Sequence, residues 1–121
     1  MSTAAVIAVL LVAALHVWFM VLEMLLWTRP LGRRVFGLEP AFAERSAALA
    51  ANQGLYNGFL VAGLLWGAWA WPGAHGRALL LFFLGCVLVA GVFGAFTVSR
   101  RILWVQALPA ALALVLVLLA R

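Results

Sequence analysis

Four long apolar runs, separated by short polar segments, dominate the chain. They cover about residues 4–27, 47–71, 78–98 and 102–120. Each is close to the roughly 20 residues that an α-helix needs to cross a hydrocarbon core of about 30 Å. Lipid offers no partners to backbone polar groups, and the runs lack the alternation of barrel strands, so each run predicts a helix.

The connecting segments set the helix limits. Residues 28–46 form the longest connection, where Glu39-Pro40 followed by Glu44 indicates a helix start ahead of the second apolar run. Residues 72–76 are typical of a tight turn. The first five residues carry no Arg or Lys, so we expect a retained first helix rather than a signal peptide. The prediction is an all-α, integral membrane four-helix bundle forming one domain over residues 1–121, with helices at about 4–27, 40–71, 77–98 and 101–120.

Composition supports lipid as the surrounding medium. Hydrophobic residues make up 69% of the chain and charged residues 9%, against about 45–50% and about 25% in soluble domains. The net charge is +5 and all eight cations are Arg. They lie beside the apolar runs, which indicates membrane topology and no nucleic-acid partner.

Arginine counts predict the orientation. The first and third connections together hold six Arg, whereas the other side holds Arg77 and Arg121. The positive-inside rule then places the first and third connections in the cytoplasm and both termini outside.

Polar side chains inside the apolar runs are the candidate chemistry, since each is costly in lipid. Glu23 and His16 are seven residues apart and therefore share one helix face. The second helix adds two pairs at a spacing of four. With the polar residues around the start of the fourth helix, the predicted ligand-binding set is His16, Glu23, Asn52, Gln53, Tyr56, Asn57, Arg100, Arg101 and Gln106. These residues are expected to meet in the cytoplasmic leaflet. They do not have the spacing of a metal site, and no cofactor is indicated.

Several segments resemble one bacterial family. His16, Phe19-Met20-Val21-Leu22-Glu23-Met24 and Trp27, then residues 35–38, 51–59 and 105–109, are similar to the pattern of the domain of unknown function 1304 family. The resemblance spans nearly the whole chain. It implies a four-helix, multi-pass protein of the inner membrane and brings no activity with it.

A fainter likeness is to the membrane-associated eicosanoid and glutathione metabolism proteins. Glu44-Arg45 and Asn52 are similar to the opening of their second helix, and Arg100-Arg101 is loosely similar to their Arg pair. Tyr56 or Asn57 stands where that family has a Glu, which puts glutathione activation in doubt. This likeness implies a homo-oligomer, a trimer with its site between subunits.

Three functions remain open. The first is a protein that binds or moves a small amphipathic or lipid-like ligand, with Glu23 changing protonation as the ligand comes and goes. The second is a small membrane enzyme, in which Arg100 or Arg101 holds an anionic cosubstrate such as glutathione and Tyr56 donates a hydrogen bond. The third is a structural protein whose polar side chains join its helices.

Overall fold

The computed structural model describes residues 2–120, and the described chain is helical with no β-strand. Its elements are α1 (Thr3–Met24), α2 (Pro30–Phe36), α3 (Pro40–Ala70), α4 (Ala74–Thr97), a π-helical segment (Leu103–Ala107) and α5 (Leu108–Leu119). The all-α class predicted from the apolar runs is therefore confirmed. Arg121, one of the two Arg that the predicted orientation places outside, lies beyond the described residues.

Two helices, α1 and α4, are long and apolar enough to cross a membrane by length and composition. The apolar stretch Leu103–Leu119 is shorter. The number of spans and the orientation of the termini stay predictions.

The chain divides into two compact units. The first combines the residues up to Leu15 with those from Leu60 onward, and the second comprises His16–Phe59. Helices α1 and α3 each contribute to both units.

In the first unit, small and branched side chains form a close-packed core. Its fully buried members come from α1, α3, α4 and α5 and include Val9, Leu64, Leu80, Leu84 and Val117. Residue Gly91 of α4 contacts the π-helical segment, since a methyl group there would lie 2.7 Å from the backbone nitrogen of Ala107. Only a residue without a side chain allows this approach.

The π-helical segment lies directly before a proline. Pro109 has no N–H and its ring conflicts with an α-helical carbonyl four residues earlier. In the structure the Leu108 N–H donates to the carbonyl of Leu103, five residues back. The wider turn thus accommodates the proline without ending the helix.

In the second unit, the end of α1 and the start of α3 are joined through Trp27. Its indole Nε1 donates to Ser46 Oγ at 3.0 Å, and its ring packs on Phe36 with a centroid separation of 4.9 Å. Helix α1 ends at Met24, and residues 25–29 turn the chain toward α2. The apolar run therefore continues three residues past the helix that it predicts.

Helix α2 was not predicted, since residues 28–46 up to Pro40 appear as a connection in the sequence. Pro30 occupies its first position, and Gly37 closes it with φ +65° and an N–H bonded to the Arg33 carbonyl. Arg33 and Arg34 lie in its last turn, where the helix dipole favours cations.

Candidate functional site

The candidate site is centred on the carboxyl group of Glu23, in the last turn of α1. Asn57 of α3 donates a hydrogen bond from Nδ2 to Glu23 Oε1 at 2.8 Å. Both residues belong to the second unit. The structure thus brings together two of the residues that the sequence predicts to meet.

Close helix packing encloses this pair. A methyl group on Gly54 of α3 would lie 2.5 Å from Met24 Cγ and 3.1 Å from Glu23 Cβ. Because Gly54 has no side chain, α3 packs directly against the α1 face that carries Glu23, which is only 6% exposed. Met20 contacts the next glycine of the same stripe, Gly58, through its sulfur.

The two carboxyl oxygens have different surroundings. Oε1 accepts the bond from Asn57, whereas Oε2 is buried and has no hydrogen-bond partner among residues 2–120. A buried carboxyl oxygen without a donor is unfavourable, and more so without water. Glu23 is therefore half satisfied by the described chain.

His16 lies seven residues before Glu23 on α1 and is 1% exposed. Its ring meets Phe19 edge to face at a centroid distance of 5.3 Å. Burial of both His16 and Glu23 agrees with their position on one inward-facing stripe.

The remaining polar residues of α3 point elsewhere. Asn52, Gln53 and Tyr56 are exposed, Tyr56 by 57% of its surface, and the Tyr56 ring contacts Phe59. The sequence analysis predicts four hydrogen-bonding side chains on this helix. Among the described residues, only Asn57 of these four forms a hydrogen bond with Glu23. A role of the other three in ligand binding stays a prediction.

Arg100, Arg101 and Gln106 belong to the first unit. Both arginines are exposed, and Gln106 is half-buried within the π-helical segment. No group of three or more His, Cys, Asp or Glu that could hold a metal ion occurs in the described part of the chain.

Two residues outside the predicted ligand-binding set also contribute to the site. A methyl group on Gly54 would meet both Met24 and Glu23, and neither Gly54 nor Met24 carries a polar group that would mark it as a ligand-binding residue. The small-residue spacing of Gly54 and Gly58 is the signal that indicates close packing at this point.

Comparison with known proteins identifies the family. The family model described as "Protein of unknown function (DUF1304)" matches residues 10–118. The chain belongs to the DUF1304 family. This match covers Glu23, Asn57 and all the other predicted site residues, and it confirms the resemblance seen in the sequence. No curated protein and no solved structure matches the chain.

Proposed function

We propose that this member of the DUF1304 family is a multi-pass protein of the bacterial inner membrane that binds a small amphipathic ligand at Glu23. The unpartnered oxygen Oε2 carries the proposal. The setting in the membrane, the four spans and the cytoplasmic location of the site are parts of the same proposal.

The exposed surface supports a lipid environment. Large apolar side chains are turned outward, with Phe96 exposed by 86%, Trp69 by 83% and Phe93 by 70%. Apolar surface in such amounts is unfavourable in water. Helix α1 has 22 residues and α4 has 24, which corresponds to about 33 and 36 Å at ~1.5 Å per residue.

The unequal carboxyl oxygens favour a ligand over a purely structural role. A bond that joins helices explains Oε1, because Asn57 links α3 to α1. It does not explain Oε2. A carboxylate in a membrane costs about 2.5–3.5 kcal/mol on insertion scales, so retaining it with one oxygen unsatisfied is better explained by a donor that arrives with a ligand.

The surroundings indicate what that ligand carries. A carboxylate accepts hydrogen bonds, so the ligand needs an N–H or O–H group, and a cationic amine would bind most strongly. Glu23 is the last residue but one of α1. A head group bound there lies near the end of the helix while an apolar tail remains in lipid.

Entry to Oε2 requires side chains to move, because this oxygen is enclosed in the structure. Met24 lies against Gly54 and is 42% exposed, and Met20 contacts Gly58. Methionine has three rotatable bonds and adapts readily to new shapes. These two side chains are therefore the proposed route of access.

The test compares dodecylamine, dodecanol and dodecane as additives to the purified protein in mild detergent, with the thermal unfolding midpoint as readout. We expect dodecylamine to raise the midpoint most and dodecane least. Replacing Glu23 with Gln keeps the shape and removes the charge. It should weaken dodecylamine binding about 10- to 100-fold, the equivalent of a hydrogen bond to a charged group of about 1.5–3 kcal/mol.

The matched control is Glu44→Gln, because Glu44 is exposed on α3. This variant should bind dodecylamine as the unmodified protein does. Equal responses to all three additives, or an unchanged response in Glu23→Gln, would overturn the proposal. If the unmodified protein responds to none of the additives and Glu23→Leu raises the unfolding midpoint, the structural role is the correct one.

A further inference from the structure

A cavity of about 370 Å³ lies in the first unit, where α3 ends, α4 begins and α5 ends. Its walls are mainly apolar, with one charged residue. They are formed by Trp71, Pro72, Ala74, Arg77, Leu118 and Ala120. This cavity involves none of the residues predicted for ligand binding.

Two hydrogen-bond donors of these walls have no acceptor. The indole Nε1 of Trp71 and the guanidinium Nε of Arg77 are both buried and have no hydrogen-bond partner among residues 2–120. Indole and guanidinium nitrogens only donate. Both groups therefore require the same kind of partner, an acceptor atom.

A structural role explains part of Arg77. Its Nη2 donates to the carbonyl of Leu118 at 2.9 Å, which caps the last turn of α5. This bond leaves the buried Nε without a partner, and it does not involve Trp71. Capping of α5 alone therefore does not account for both unsatisfied donors.

No acidic side chain lies near the charge of Arg77 in the described part of its unit. The three acidic residues of the sequence are Glu23, Glu39 and Glu44, and all lie in the second unit. Arg77 is moreover in the first turn of α4, where the helix dipole disfavours a cation. An anion in the cavity would relieve both effects.

We propose that Trp71 and Arg77 bind an oxyanion, a phosphate or carboxylate, carried by an amphipathic molecule. The apolar walls suit the part of the molecule next to the anion. The two N–H groups lie beneath the cavity surface, so the Trp71 or Arg77 side chain rotates on binding. The phosphate of a lipid head group and free phosphate share this chemistry.

The experiment measures binding of dioctanoyl-phosphatidylglycerol to the purified full chain in detergent by native mass spectrometry. Dioctanoylglycerol, which lacks the phosphate, is the uncharged comparison. We expect Arg77→Gln to weaken phosphatidylglycerol binding about tenfold, as for loss of a charged hydrogen bond. Trp71→Phe removes one N–H but keeps the aromatic ring and the Arg77 cap, and we expect a loss of about threefold.

Arg34→Gln is the control, since Arg34 is an exposed arginine of α2 and does not line the cavity. It should bind phosphatidylglycerol normally. The proposal is overturned if Arg34→Gln and Arg77→Gln lose equal affinity, if Trp71→Phe binds unchanged, or if dioctanoylglycerol binds as well. Competition by millimolar inorganic phosphate would identify a site for the free anion. With the variant pattern intact, a lack of competition would identify a lipid site.

This inference is independent of the one for Glu23. Glu23→Gln should leave phosphatidylglycerol binding unchanged, and Arg77→Gln should leave the dodecylamine response unchanged. Failure of one proposal is therefore visible without failure of the other.

Discussion

The packing of α4 allows a sharp test, because two of its glycines have opposite surroundings. A methyl group at Gly91 would lie 2.7 Å from the backbone nitrogen of Ala107 and 2.9 Å from its Cα. A methyl group at Gly85 would have no neighbour within 4 Å. Both residues lie inside the helix, so substitution by Ala brings the same gain in helix propensity at each.

The expected magnitudes follow from these distances. Replacing a helical Gly by Ala stabilises a helix by about 1 kcal/mol. Gly85→Ala should therefore raise the free energy of unfolding by up to about 1 kcal/mol. Gly91→Ala has the same gain, but forcing atoms into a packed interface costs about 1–3 kcal/mol. Because the propensity gain cancels, the difference between the variants measures the cost of the contact alone.

The assay is thermal or denaturant unfolding of both variants in the same detergent. We expect Gly91→Ala to be less stable than Gly85→Ala by about 1–3 kcal/mol. Equal stability of the two variants would show that α4 does not approach the π-helical segment at Ala107, and the fold described for the first unit would then be wrong.

Three further predictions concern single interactions. Asn57→Ala should lower the free energy of unfolding by about 1–3 kcal/mol, because it leaves Glu23 Oε1 unpaired. In a double-mutant cycle, adding Glu23→Leu should restore most of this loss. If the effects of the two substitutions on the free energy of unfolding simply add, the bond does not exist. Trp27→Phe keeps an aromatic ring against Phe36 but removes the hydrogen bond to Ser46. The unfolding midpoint should fall by the equivalent of about 0.5–1.5 kcal/mol. An unchanged midpoint would contradict the bond between Trp27 and Ser46. Pro109→Ala creates an N–H that should form an α-helical bond to the Val105 carbonyl. Hydrogen exchange of this new amide should then be slower than exchange of the amides of Leu103–Ala107. Rapid exchange of the position 109 amide would show that the π-helical turn does not depend on the proline.

The sequence predicts helices well where hydropathy alone decides them and less well at their ends. The first apolar run extends to Trp27, but α1 ends at Met24. Trp27 is apolar in composition, yet it bonds Ser46 through its one polar atom. Hydropathy counts the ring and not the indole N–H, so it cannot place this helix end.

The limits of helix α2 are marked in the sequence, although its hydropathy is not that of a membrane helix. Pro30 at the first position and Gly37 just past the end are typical limits of a short helix. Its seven residues include two Arg, so the segment lacks the apolar run by which the other helices were predicted.

The site was predictable as far as helix periodicity extends. Spacing on α1 places His16 and Glu23 on one face, and both are buried. On α3, spacing predicts pairs but not which face meets α1. That choice is made by Gly54, since the face with the smallest side chains permits the closest approach. Asn57 lies near enough to that face to reach Glu23, whereas Tyr56 points outward.

The two proposed sites depend on one physical premise. A soluble protein can leave a donor or acceptor unpaired at low cost when water reaches it, and hydrocarbon offers no such partner. In a chain that is 69% hydrophobic, the unpaired buried atoms of Glu23, Trp71 and Arg77 are therefore informative. The two sites differ in their hydrogen-bonding character, because Glu23 offers an acceptor while Trp71 and Arg77 offer donors. A ligand set that reversed these preferences, with anions responding to Glu23→Gln and amines to Arg77→Gln, would refute the premise itself and not merely one site.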